Sequence, residues 1–133
     1  MEQIDQMYQE QILDHYKNPR NVGIIRNATI HHHEKNPLCG DELDVYLLID
    51  DDKNVADVKI RAHGCAISTA SASMMTDRIK GRNISQITKL KKDDILEMLG
   101  IPISAARLKC ALLSMDTFKN AVVIYEKYVN KGG

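Results

Sequence analysis

Two hydrophobic spacings divide the chain. Leu43, Val45, Leu47 and Ile49 alternate with Asp44, Tyr46 and Leu48, the period of a half-buried strand. Val58, Ile60 and Ala62 alternate in the same way with Asp57, Lys59 and Arg61. Between them Asp50-Asp51-Asp52-Lys53-Asn54 is polar enough only for a turn, so the two runs predict an antiparallel hairpin. A further strand is expected near Thr29 to His33.

Elsewhere the period is helical. Ile4, Met7, Tyr8, Ile12 and Tyr16 predict an amphipathic helix over residues 3–17. Asn18-Pro19-Arg20-Asn21 ends it, because proline disfavours helical geometry in the residue before it. Ala66 to Lys80, rich in Ala, Ser and Met, has helix length, and Gly81 is the expected C-cap. A short helix is predicted from Lys92 to Leu99, stopped by Gly100 and Pro102. Leu108, Leu112, Met115, Val122 and Tyr125 predict a last helix from Ser104 to about Val129, with a break near Asp116. Strands early and helices late imply an α+β fold: an N-terminal helix, a three-stranded antiparallel sheet, then helices on one sheet face. No repeat or linker interrupts the chain, which reads as one domain over residues 1–133.

Composition narrows the function. At 133 residues the chain can bury a real core, and with one Phe and no Trp that core must be aliphatic. Eighteen basic residues balance eighteen acidic ones, so no global field draws it to nucleic acid or an anionic membrane. Scarce aromatics also leave few platforms for base stacking. No apolar run approaches the roughly 20 residues that cross a bilayer. Met1-Glu2-Gln3-Ile4-Asp5 has no basic-then-apolar order, so no secretory signal is expected and the cytosol is the expected compartment. Three cysteines in such a chain do not suggest a disulfide framework.

The settings of those cysteines carry the chemistry. Cys39 lies in Asn36-Pro37-Leu38-Cys39-Gly40-Asp41, where Pro and Gly indicate a tight exposed loop and the thiol and carboxylate positions are two residues apart. Cys65 follows Gly64 at a strand-to-helix junction. There the helix N-terminus favours thiolate, though a small apolar residue filling a corner is the other reading. Cys110 is expected near the start of the last helix, with Arg107 and Lys109 beside it to steady a thiolate; a buried helix cysteine with solvated basic neighbours is the alternative. Together with Asp41 these thiols make a four-ligand set suited to tetrahedral zinc or the two irons of a [2Fe–2S] cluster, at one exposed site. Without a Cys-x-x-Cys pair, a generic zinc finger is not indicated.

At four stretches the chain resembles the IscU/NifU N-terminal family of iron–sulfur cluster assembly scaffolds. They are Asp14-His15-Tyr16-Lys17-Asn18-Pro19-Arg20-Asn21, Asn36 to Asp41, Gly64 to Ser68 with Ala70 to Met75, and Arg107-Leu108-Lys109-Cys110-Ala111. The resemblance implies a small α+β fold, persulfide sulfur received from a cysteine desulfurase, and a metal or cluster site at Cys39, Asp41, Cys65 and Cys110. It also implies that apo iron–sulfur proteins or carriers lie downstream. Cys39 is the favoured persulfide acceptor among the three thiols, Asp41 is tied to metal lability, and Lys109 and Arg107 are supporting residues. IscU-type members carry His before the last Cys and a Leu-Pro-Pro-Val-Lys chaperone motif. Here Lys109 and Ile101-Pro102-Ile103-Ser104 stand instead, which is SufU-like and leaves dedicated Hsp70-type delivery without its motif. An inserted stretch before the last Cys, present in SufU proteins, is lacking. The alternative function is a zinc-dependent sulfurtransferase that relays sulfur without building clusters.

Other polar groups are less informative. Adjacent residues on a strand face opposite ways, so His31, His32 and His33 are not expected to chelate together. His63, two residues before Cys65, is a candidate fourth ligand or proton donor if both continue one strand. Asp50 to Asp52 lacks the Gly and distal Glu of a calcium loop. Lys89, Lys91 and Lys92 read as solvated surface.

Overall fold

The structure, a computed structural model, describes residues 2–37 and 40–132, with side chains described over 9–37 and 40–129. Eight elements follow one another: α1 (Glu2–Lys17), β1 (Ile30–Lys35), β2 (Glu42–Ile49), β3 (Val55–His63), α2 (Ala66–Ile79), α3 (Ile84–Thr88), α4 (Lys92–Leu99) and α5 (Ala105–Gly132). The strands form one antiparallel sheet in the order β1-β2-β3. The α+β expectation holds, down to the order of its parts.

The alternation read from the chain decides which sheet face is covered. Leu43, Val45 and Leu47 of β2 and Val58 and Ile60 of β3 are buried, against α2 and α5. Glu42, Asp44 and Tyr46 face the opposite side, beside His31, His33 and Lys35 of β1. In the tight hairpin turn, Asp50 Oδ1 accepts the N–H groups of Asp52 at 3.0 Å and Asn54 at 2.9 Å. Lys53 adopts φ +66° there.

α2 is the central helix. Ile67 to Thr76 are all buried, because α1, α5 and β3 enclose the helix. Its Ala and Ser residues permit that close approach, and their hydroxyls find partners. Ser71 Oγ donates to Ala111 O at 3.0 Å and meets Ser114 Oγ at 2.9 Å, joining α2 to α5. Ser73 Oγ meets His15 Nδ1 at 2.7 Å and accepts the Arg20 N–H at 2.8 Å, which fixes the end of α1 and the chain beyond it. Phe118 is fully buried in the same core.

Several expectations need correction. Tyr16 is 43% exposed; buried His15 takes its place on the inner side of α1. α2 ends at Ile79 with Lys80 as its cap, one residue before the predicted stop. Gly81 has φ +81° but donates to Val55 O of β3 at 2.8 Å rather than back into the helix. α3 was not anticipated, being too short for a period to register. Asn83 caps it by accepting the Ser85 N–H, and Ile84 and Ile87 are buried. α5 runs unbroken through Asp116, which sits on its exposed side while Thr117 and Phe118 keep the inner stripe continuous.

Candidate metal centre

Three segments far apart in the chain meet where the sheet joins α2. The connection from β1 to β2 is drawn closed by two backbone bonds: Asn36 N–H to Asp41 O at 2.7 Å, and Gly40 N–H to Asn36 O at 2.7 Å. Gly40 takes φ +75°, where glycine is favoured. Asp41 emerges from this turn with its residue only 4% exposed.

Cys65 occupies the N-cap of α2, with extended backbone and no capping bond from its own side chain. Asp41 does that work from across the fold. Its Oδ1 accepts the Cys65 N–H at 3.1 Å, and its Oδ2 accepts the Cys65 thiol at 3.6 Å. α2 has no acidic residue in its first turn, so Asp41 also supplies the negative charge that the positive helix end favours. Gly64 makes the approach possible. A Cβ there would lie 2.6 Å from Asp41 Oδ1 and 2.6 Å from Ser68 Oγ.

Cys110, in the second turn of α5, completes the group. One donor atom each from Asp41, Cys65 and Cys110 lies within 4.8 Å of the others. Two sulfurs and one oxygen suit zinc or iron better than calcium or magnesium, which prefer oxygen alone. The 3.6 Å between Cys65 Sγ and Asp41 Oδ2 also fits the edge of a zinc tetrahedron, about 3.5 Å from ordinary Zn–S and Zn–O lengths.

Of the four expected ligands, three are brought together; Cys39 lies outside the described residues. The expected exposed site is more enclosed than predicted. Cys110 is 5% exposed and Asp41 4%, while Cys65 is half-buried. His63 is not among the converging donors of the described residues, because β3 ends at His63 and Gly64 turns the chain before Cys65. The two therefore do not continue one strand.

Lys109 and Arg107 are exposed and border separate depressions. Lys109 lines a cavity of about 310 Å³ with Glu34, Asn36, Pro37 and Asp116. Burial pushes the Asp116 carboxyl up, and the nearby Glu34 charge adds to this, with Lys119 opposing. Arg107 borders a groove with Leu13, Ala66, Ile67 and Ile101. Asp41's capping role and the contact at Gly64 were not foreseen. A glycine immediately before the junction cysteine was the available signal.

Residues 7–131 match the sequence profile of the NifU-like N terminal domain. The chain is 38% identical over 136 residues to the zinc-dependent sulfurtransferase SufU of Bacillus subtilis, covering 90% of this chain and 91% of that one. It is 35% identical over 119 residues to the iron-sulfur cluster assembly scaffold protein IscU 1 of Archaeoglobus fulgidus, covering 90% and 76%. A crystal structure of a putative scaffold for the SUF system from Fervidobacterium islandicum superposes with a TM-score of 0.76 at 31% identity, covering 88% of this chain and 97% of that one. A sulfur-and-carboxylate cluster at the helix start, on a fold and sequence shared with these proteins, makes the chain a member of the NifU-like N-terminal domain family.

Proposed function

We propose that this chain, acting as a single domain, serves iron–sulfur cluster assembly. It accepts persulfide sulfur from a cysteine desulfurase and holds iron, a [2Fe–2S] cluster or zinc at Cys39, Asp41, Cys65 and Cys110. The observation that carries this reading is the convergence of Asp41, Cys65 and Cys110 from three distant segments. Cys39, two residues before Asp41 in the sequence, is the fourth proposed ligand.

The sulfur step is a thiol–persulfide exchange. A cysteine thiolate attacks the outer sulfur of the desulfurase persulfide. The S–S bond breaks, the desulfurase thiolate leaves, and the chain carries the new persulfide. Cys39 is the proposed acceptor, supported by the burial of Cys110 and the half-burial of Cys65. A bound dication supplies charge that keeps the cysteine ligands deprotonated near neutral pH. Asp41, a harder ligand than thiolate, tunes metal release, and Lys109 steadies anionic sulfur near the site.

The second reading, a zinc-dependent sulfurtransferase without cluster building, is favoured by the likeness to the Bacillus subtilis protein of that name. No described helix is long and apolar enough to cross a membrane. The proposal places the chain in the cytosol, where thiols stay reduced, with downstream apo-proteins or carriers as partners. Nucleic acid, membrane and a dedicated Hsp70-type chaperone have no part in it.

Anaerobic reconstitution with ferrous iron, cysteine and a cysteine desulfurase tests both. A scaffold gains visible-range cluster absorption and passes the cluster to an apo-ferredoxin. A relay holds zinc and raises desulfurase turnover without colour. Neither chromophore nor stimulated turnover would overturn the proposal.

A further inference from the structure

The outer face of the sheet carries ligand-type side chains apart from the thiol site; their donor atoms do not converge as those of Asp41, Cys65 and Cys110 do. We propose that His31, His33 and Asp44 form a surface site for a borderline first-row dication such as Zn2+, Co2+ or Fe2+. β1 places the two imidazoles on one face at i and i+2, about 6.7 Å apart along the strand. His32 points the other way, to Glu34 at 3.0 Å. Asp44 is the cross-strand partner of His33, yet its Oδ1 contacts His31 Nε2 at 2.9 Å. The carboxylate thus contacts the first imidazole and sits across the strands from the second.

The spacing suits coordination. Two ligand atoms at about 2.1 Å from an ion lie roughly 3.0 Å apart at octahedral angles and about 3.4 Å at tetrahedral ones. His31 is already oriented, its ring stacked on Tyr46 with centroids 4.2 Å apart and planes 9° from parallel. His33 faces Glu42, with Nε2 at 3.7 Å from Oε1, and its side chain is 46% exposed. Coordination requires its ring to turn from Glu42 toward Asp44, with Glu42 beside it as a further oxygen donor. A cation replaces the proton that now links His31 and Asp44. Two imidazoles and a carboxylate select transition ions over calcium or magnesium, and solvent fills the open positions. Arg61 stands opposite Asp44 on β3, where its positive charge disfavours a bound cation.

The alternative is a set of plain exposed ion pairs, each contributing little. Anaerobic Co2+ titration of the full chain separates the two. Thiolate-bound Co2+ gives intense charge-transfer absorption, whereas the imidazole site does not. Paramagnetic broadening of NMR signals locates each ion. A second equivalent should broaden His31, His33, Asp44 and Tyr46 without adding charge-transfer intensity. His31→Gln/His33→Gln should abolish that broadening and leave the thiolate band unchanged, while Arg61→Gln should shift the second binding phase to lower Co2+. Broadening confined to the surroundings of Asp41, Cys65 and Cys110, or undiminished in the double variant, would overturn the proposal.

Discussion

The carboxylate of Asp41 caps the helix that begins at Cys65, with Oδ1 3.1 Å from the Cys65 N–H, while its other oxygen accepts the Cys65 thiol. One side chain therefore connects the start of β2 to the start of α2 and helps form the donor cluster. Structural and chemical roles overlap there, and paired substitutions can separate them. Asp41→Ala should cost the metal-free protein about 1–2 kcal/mol, the range for losing a helix cap. Asp41→Asn keeps an oxygen acceptor for the N–H and should retain most of that stability. Both should bind zinc more weakly than the unsubstituted chain. Urea unfolding of the metal-free proteins, alongside zinc competition with a chromophoric chelator, reads both effects.

A side chain at Gly64 is predicted to act through Asp41. A Cβ placed 2.6 Å from Asp41 Oδ1 must displace the carboxylate or Ser68. Gly64→Ala should destabilise by about 1–3 kcal/mol, as overpacking does, and should weaken zinc binding. In an Asp41→Ala background the same change should cost less, because one clashing group is gone. A double-mutant cycle in urea measures that coupling.

The buried His15 makes stability depend on pH. Burial, with Arg20 adding to it, holds its pKa below the usual 6.5. As pH falls through that value the unfolded chain takes up the proton first, so the contribution of neutral His15 is full above about pH 6.5 and declines below it. His15→Gln should flatten the stability profile between pH 7 and 5, as measured by urea midpoints. The ion pair of Asp14 with Arg20 acts in another window. Hydrogen bonds from Arg20 and Asn18 hold the Asp14 carboxyl below 3.8, so its contribution declines only in stronger acid.

Asp116 has the opposite sign. The residue is exposed on α5, but the cavity side of its carboxyl is partly buried beside Glu34; both raise its pKa, modestly because solvent screens the effect. Its charged form is therefore disfavoured in the folded chain. Its penalty is absent below its unfolded pKa and complete once pH exceeds its folded one. Asp116→Asn should raise the urea midpoint at pH 7 and leave it little changed near pH 3.

Much of this architecture was legible because it rests on simple periods. Leu43 to Leu47 and Val58 to Ile60 alternate as strand residues, and those inner positions are buried. α4 was bounded correctly from Lys92 to Leu99, since Gly100 takes the left-handed conformation at its cap. Expectations failed where tertiary contacts decide. Lys80 ends α2 because Gly81 bonds to β3, which no local pattern reveals. Tyr16 and His15 exchanged places because Ser73 offers the imidazole a partner 58 residues away. At the site, ligand types were readable from Cys65, Cys110 and Asp41, but their enclosure was not. Burial of Asp41 follows from its capping bond to a distant segment, and only the folded chain contains that bond.

X-ray absorption at the zinc edge, on protein carrying less than one zinc per chain, tests the central claim most directly. Binding at the converged donors predicts sulfur neighbours at about 2.3 Å together with oxygen at about 2.0 Å. A first coordination shell of nitrogen and oxygen alone would contradict it.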